Sequence, residues 1–304
     1  MRLKTIVKIT RMPFLTAVIL PALLGAFIAW ADGTFSGGHL LLTLLGIVSI
    51  NVGLNMSNDY FDHVSGNDEN NRELTPFSGG SRVIQEGVVS ARQVLAGSVS
   101  FYLVGIAIGL YLVLTRGWPL LWLGAIGVFL AFFHNAPPFK LYHLAPGAGE
   151  LAAGIGCGPL VVLGSYYVQT QRWSSEALWA SIPLGLLITA VLYINEFPDY
   201  VADRSVGKKT IVVALGRERA AWGYAALLMA AYVSIVVGVV LGTLPYTVLL
   251  ALLSIPMAYQ GIQGVMRFHS DTDKLIPTCA VTIKAHLVTG LLMCAGYAVE
   301  RLLS

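Results

Sequence analysis

The chain has 304 residues, 56% of them hydrophobic and only 12% charged, with a net charge of +3 and a mean hydropathy of +0.72. A soluble domain carries about twice that charged fraction, so the composition excludes a water-soluble enzyme and predicts an all-α polytopic protein of the lipid bilayer, with no nucleic-acid partner. Cys157, Cys279 and Cys294 stand singly in apolar runs, without the spacing of a disulfide framework or a zinc site, and read as packing residues.

The basic start (Arg2, Lys4, Lys8, Arg11) leads into a full-length apolar run with no A-x-A site, which predicts that the first span is retained. Apolar runs of spanning length occur at 13–31, 39–58, 94–114, 118–134, 149–168, 176–195, 220–241, 244–264 and 279–299, so nine transmembrane helices are expected in one domain over 1–304. Pro137 with Pro138, and Pro245 with Pro256, blur the ends of the fourth and eighth. With the N-terminus in the cytoplasm, only Arg116, Arg172 and Arg301 of the 19 basic residues fall on the far side. Of the 16 acidic residues, only Asp32, Glu176 and Glu300 do. The chemistry is therefore expected on the cytoplasmic face of a cell (inner) membrane.

Two acidic clusters stand where the second and sixth spans reach that face. The later one, Asn195 to Thr210, reads NEFPDYVADRSVGKKT, and Asn195, Asp199 and Asp203 share one face of a continuing helix. In the earlier one, NDYFDHVSGND, Asn58 and Asp62 repeat the four-residue spacing, and Asp68 returns from a loop after Gly66. Asn51, Asn55 and Asp59 extend the polar row. Acids at membrane depth are costly unless partnered. Two carboxylates and an amide oxygen in a row suit a hard divalent cation such as Mg²⁺. The separation of the clusters by four spans suggests a duplication, with two half-bundles facing a central cavity.

Arg72, Arg82, Lys140, Arg204, Lys208 and Lys209 fit a diphosphate partner. For Lys208 and Lys209 the excess of basic residues on the cytoplasmic side is the better account, whereas Lys140 follows the APPF turn and is expected over the cavity mouth. The Gly79-Gly80 turn beside Ser78, Ser81 and Arg82 offers backbone amides to an anion. Gly207 to Thr210 is not a P-loop, because the upstream glycine is Ala202 and no strand precedes it. His134 and Tyr142 flank the Pro-Pro turn and Tyr193 precedes the second motif, so each could touch substrate, as could Asn55, Asp59 and Glu196. A plain interfacial polar role is the better reading of the histidines, and aromatic belts explain the tyrosines equally well.

The pair NDYFD…GND and NxxxDxxxD…GKxT resembles the UbiA superfamily of intramembrane aromatic prenyltransferases over essentially the whole chain. Pro137 to Thr170, with the Pro-Pro-x-Lys turn, Gly149-Glu150, Gly158-Pro159 and Tyr166 to Gln169, is further similar to the 1,4-dihydroxy-2-naphthoate polyprenyltransferases of menaquinone synthesis. The resemblance implies Mg²⁺-dependent transfer of a polyprenyl group from its diphosphate to an aromatic acceptor. Asn58, Asp62 and Asp68 would hold one Mg²⁺, and Asn195, Asp199 and Asp203 the other. Asp62, Asp199 and Lys140 would be catalytic, with Arg72, Lys140 and Arg82 on the diphosphate. The chain departs from that branch at Glu196 and Pro198, and His134 stands where a tyrosine often precedes the Pro turn. Another acceptor, a terpene cyclisation at the same metal site, or cation-coupled transport are the rival readings. Transport predicts acids near the bilayer midplane, whereas these gather at one face.

Overall fold

The apolar runs of the sequence are helical in the computed structural model, which describes residues 3–303, and no strand occurs among them. Arg2 of the basic start lies outside the described residues. Helices α1 (Leu3–Ile9), α2 (Thr16–Ala31), α3 (Gly37–Ser65) and α4 (Asn67–Asn70) lead to a loop that ends at α5 (Ala91–Arg116). Then follow α6 (Pro119–Phe132), α7 (Leu141–Leu144), α8 (Ala148–Cys157), α9 (Pro159–Thr170), α10 (Ser175–Ser205) and α11 (Ile211–Leu215). The chain closes with α12 (Arg217–Val240), α13 (Ile255–Phe268) and α14 (Thr272–Leu303).

Seven segments are long and apolar enough to cross a membrane: α3, α5, α8 with α9, α10, α12, 246–268 and α14. The first and fourth expected spans are shorter, 16 and 14 residues in α2 and α6. At about 1.5 Å per residue these reach roughly 24 and 21 Å, less than a hydrocarbon core of about 30 Å. A 3-10 turn at Met12–Leu15 precedes α2, and the Pro137–Pro138 turn follows α6. The expected span at 149–168 is two helices broken at Gly158. A Cβ there would lie 2.6 Å from Gly185 Cα and 2.8 Å from the Gly154 carbonyl. The break lets α8 and α9 sit flush against α10.

α10 forms the axis. Leu184, Leu187, Tyr193, Ile194 and Phe197 pack it against α12 and α14, while α2 and α9 complete the core with Leu24, Ile28 and Val162. Glycines bring α3 and α5 together: Ser98 Oγ donates to the Gly53 carbonyl at 2.7 Å, and a Cβ at Gly105 would lie 2.9 Å from the Gly46 carbonyl. α6 is seated loosely, burying only Leu120 and Ala131. Between α3, α5, α6, α8, α9 and α10 lies a cavity of about 610 Å³, apolar over most of its length and polar at one end.

Candidate active site

Both acidic rows open into the polar end of that cavity. α3 runs past Asn58 to Ser65, two turns beyond the apolar run, so Asn58 and Asp62 lie on one continuous face. Gly66, in the left-handed region with φ 77°, ends α3 and turns the chain into α4, which buries Asp68 against the same space. α10 likewise continues to Ser205 and presents Asn195, Asp199 and Asp203 from the opposite wall. All six expected metal-binding residues line one cavity.

Amides that the sequence reading passed over tie the rows together. Asn67 Nδ2 donates to Asp203 Oδ1 at 3.2 Å, and Asn71 Nδ2 donates to Asp199 Oδ1 at 2.6 Å. Asn135 Nδ2 donates to Asp62 Oδ1 at 3.2 Å. Asn67 and Asn71 stand four apart, so the segment behind the first acidic row grips the acids of the second. The Gly79 N–H reaches Asp199 Oδ2 at 3.4 Å, and Gly80 (φ 74°) lies so close to Asp68 that a Cβ would fall 2.6 Å from Oδ2. The Gly-Gly turn thus faces carboxylates and closes over them.

One cation of the cavity is Lys208, 7% exposed, with Nζ 2.9 Å from Asp62 Oδ1 and 3.4 Å from Asp203 Oδ1. Burial disfavours its charge, but Asp62, Asp203 and Asp199 outweigh that and hold it protonated. Arg11 also lines the cavity and pairs with Asp59 at 2.5 Å, which in turn accepts from the Ser81 N–H. Burial and the nearby Asp62 and Asp59 push the Asp68 carboxyl up to about 8, against the pull of Arg11 and Lys208.

The other expected contacts divide. Asn55, His134, Tyr142 and Glu196 line the cavity. Asp59 is buried behind it on Arg11, and Tyr193 points its hydroxyl toward α12, where a Cβ at Gly223 would lie 2.6 Å away. Lys140 occupies the turn before α7 with φ 43° and does not line the cavity. Arg72 is exposed, and Arg82 donates to the backbone carbonyl of Asp68. Neither reaches the lining.

The donor set suits a hard cation. Asn58 Oδ1 and Asn195 Oδ1 are buried without a hydrogen-bond partner, each in line with carboxylates. Among the described residues no three Asp, Glu, His or Cys side chains converge on a point. A cation here would draw on carboxylates, these amide oxygens and the oxygens of a bound substrate, as Mg²⁺ commonly does.

Residues 18–295 match the UbiA prenyltransferase family. The chain belongs to that family. It is a membrane prenyltransferase. A 2-carboxy-1,4-naphthoquinone phytyltransferase of Synechocystis is 29% identical over 94% of this chain and 90% of its own. A 1,4-dihydroxy-2-naphthoate octaprenyltransferase of Bacillus subtilis is 24% identical over 96% of this chain and 92% of its own. The fold is similar to that of a UbiA homologue from Aeropyrum pernix (TM-score 0.67, 19% identity, 93% and 97% of the two chains covered). It is also similar to a UbiA homologue from Archaeoglobus fulgidus bound to GPP and Mg²⁺ (TM-score 0.56, 13% identity, 95% and 99% covered).

Proposed function

We propose that the protein transfers a polyprenyl group from its diphosphate to 1,4-dihydroxy-2-naphthoate, in quinone synthesis at the cytoplasmic face of the cell membrane. The carrying observation is one cavity with two acidic rows at its polar end and an apolar remainder long enough for an isoprenoid tail. The named activities of the Synechocystis and Bacillus relatives support the acceptor. In this reading all nine apolar helices sit in the bilayer as a single domain of two facing half-bundles, with the N-terminus cytoplasmic.

Asn58, Asp62 and Asp68 would hold one Mg²⁺, and Asn195, Asp199 and Asp203 a second. Bound Mg²⁺ neutralises charge that develops on the departing diphosphate. Lys208 and Arg11 lie where that diphosphate would bind, which favours them over Lys140, Arg72 and Arg82 as its cationic partners. Asn67, Asn71 and Asn135 orient carboxylate oxygens and leave others free. The walls of α5, α6 and α9 exclude water from the allylic carbon as it becomes cation-like. Tyr142 and His134 line the same polar end of the cavity.

The test is incubation of purified protein with labelled geranylgeranyl diphosphate, Mg²⁺ and a panel of aromatic acids, with products identified by mass. A prenylated, decarboxylated naphthalene diol is expected. Asp62→Ala and Asp199→Ala should each lower turnover about 100-fold or more. Retained turnover in both variants would sink the assignment.

A further inference from the structure

Asp62 on α3 and Asp203 on α10 approach the same ammonium group from opposite walls of the cavity. Lys208 Nζ lies 2.9 Å from Asp62 Oδ1 and 3.4 Å from Asp203 Oδ1. The same two oxygens accept from Asn135 and Asn67, each at 3.2 Å. The amides are neutral and fix the oxygens; the ammonium supplies the charge. Among the described residues no other cationic side chain forms an ion pair with Asp62, Asp199 or Asp203. Lys208 is therefore seated on two of the carboxylates that a metal ion would use.

The backbone around Lys208 is clamped. Its N–H donates to the Asp203 carbonyl at 3.0 Å, the Lys209 N–H donates to the Tyr142 carbonyl at 2.6 Å, and the Thr210 hydroxyl caps α11 by accepting from the Val213 N–H at 3.1 Å. Any change of partner must come from the side chain, an ammonium on a flexible four-carbon stem. A second seat is close by. Nζ lies 5.3 Å from the centre of the Tyr142 ring, and that ring is held against Gly149, where a Cβ would fall 2.5 Å from it.

Charge sets the order of events. A divalent cation on Asp62 or Asp203 meets the ammonium at close range, whether it displaces Nζ from Oδ1 or settles on the second oxygen. Like charges that close repel strongly away from bulk water. A diphosphate entering alone meets Asp62, Asp68, Asp199 and Asp203, all on the lining. Arrival together removes both conflicts, because the metal takes the carboxylates and the ammonium turns to the diphosphate.

We propose that Lys208 is an exchangeable counter-ion: it pairs the two acidic rows, weakens Mg²⁺ binding without substrate, and yields the carboxylates to the metal when a diphosphate takes the ammonium. The proposal rests on the prenyl-transfer reading above and adds that metal and prenyl donor bind as one unit. The coupling is reciprocal, so Mg²⁺ tightens the diphosphate by the factor that the diphosphate tightens Mg²⁺.

The experiment titrates Mg²⁺ by calorimetry into purified full-length protein in detergent: wild type, Lys208→Met and Lys208→Gln. Each is titrated alone and with geranylgeranyl thiolodiphosphate, an analogue that binds without transferring its prenyl group. Alone, Mg²⁺ should bind Lys208→Met about tenfold or more tighter than wild type. The thiolodiphosphate should tighten Mg²⁺ about tenfold or more in wild type, and by a clearly smaller factor in Lys208→Met. Equal Mg²⁺ affinity of the two proteins without the analogue overturns the proposal, and is the result for a lysine that only binds diphosphate. Equal tightening by the analogue overturns it too. If Lys208→Met does not fold, Lys208→Gln decides, since its neutral amide can still donate to a carboxylate. Tighter binding of Mg²⁺ alone then supports the exchange, and unchanged binding overturns it. Failure of the thiolodiphosphate to bind wild type in the presence of Mg²⁺ would overturn the prenyl-transfer reading. The comparison with Mg²⁺ alone would still decide whether Lys208 competes with the cation.

Discussion

Lys208 carries the one ammonium group that reaches both acidic rows among the described residues, bonding Asp62 and Asp203 across the cavity. Breaking a buried pair by removing one partner costs about 3–5 kcal/mol, because uncompensated charge stays behind. Lys208→Met is therefore expected to lower the apparent melting temperature strongly in the absence of metal, and Mg²⁺ should raise it more than in wild type by taking over the neutralisation. Lys209→Met is the control. Lys209 is exposed and makes one long contact to the Leu144 carbonyl, so its loss should cost within about 0.5 kcal/mol. Equal melting shifts for the two variants would remove Lys208 from the charge balance of the site. The sequence alone could not separate these neighbours, since both fit the cytoplasmic excess of basic residues. What separates them is the loop between α10 and α11: Lys208 N–H bonds the Asp203 carbonyl and Lys209 N–H the Tyr142 carbonyl. Asn58, Asp62, Asn195, Asp199 and Asp203 could be placed on shared helix faces because spacing of four needs no tertiary knowledge, whereas Asp68 was reached only through the turn at Gly66. Asn67 and Asn71 carried the same spacing, in NDENN, but their partners lie on α10 and are close only in the folded chain.

At the scale of elements, close packing of α3 on α5 holds the first acidic row in place. A Cβ at Gly105 would fall 2.6 Å from Ile50 Cδ1 and 2.9 Å from the Gly46 carbonyl, and backbone cannot yield as a side chain can. Gly105→Leu should therefore separate the helices, with a stability loss of about 1–3 kcal/mol and a weaker response of melting to Mg²⁺. Gly109→Leu on the same helix meets nothing within 4 Å and should leave the melting temperature nearly unchanged. Thermal melts in detergent, with and without Mg²⁺, measure both. Indistinguishable melts for the two variants would show that the α3–α5 contact does not set stability. Hydropathy located these helices well. It could not see the break at Gly158, because a run of apolar residues reads alike whether its backbone is continuous or bent against Gly185. Nor could it see the short reach of α6, whose end is set by the turn around Pro137 and Pro138.

The whole molecule has two unlike polar ends. One holds Arg11 on Asp59, Lys8 on Glu86, Lys208 on Asp62 and Arg217 on Glu73. The other holds Arg116 on the carbonyls of Val168 and Gln169, Tyr166 on Asp32 and Thr247 on Glu300. The ends are separated by the exposed apolar flanks of α5, α6 and α12. Basic residues near short loops stay on the cytoplasmic side, so the first end, with the acidic rows, should face the cytoplasm. Arg219, exposed near the start of α12, belongs to that end; Arg172, exposed between α9 and α10, belongs to the other. Arg172→Cys should react with a membrane-impermeant maleimide in intact cells, whereas Arg219→Cys should react only after lysis. The native cysteines add little background, since Cys279 and Cys294 are buried and Cys157 is half-buried. The reverse pattern would place the acidic rows outside, where cytoplasmic Mg²⁺ and prenyl diphosphate could not reach them. Labelling of both positions in intact cells would instead contradict the division of the two ends by a bilayer.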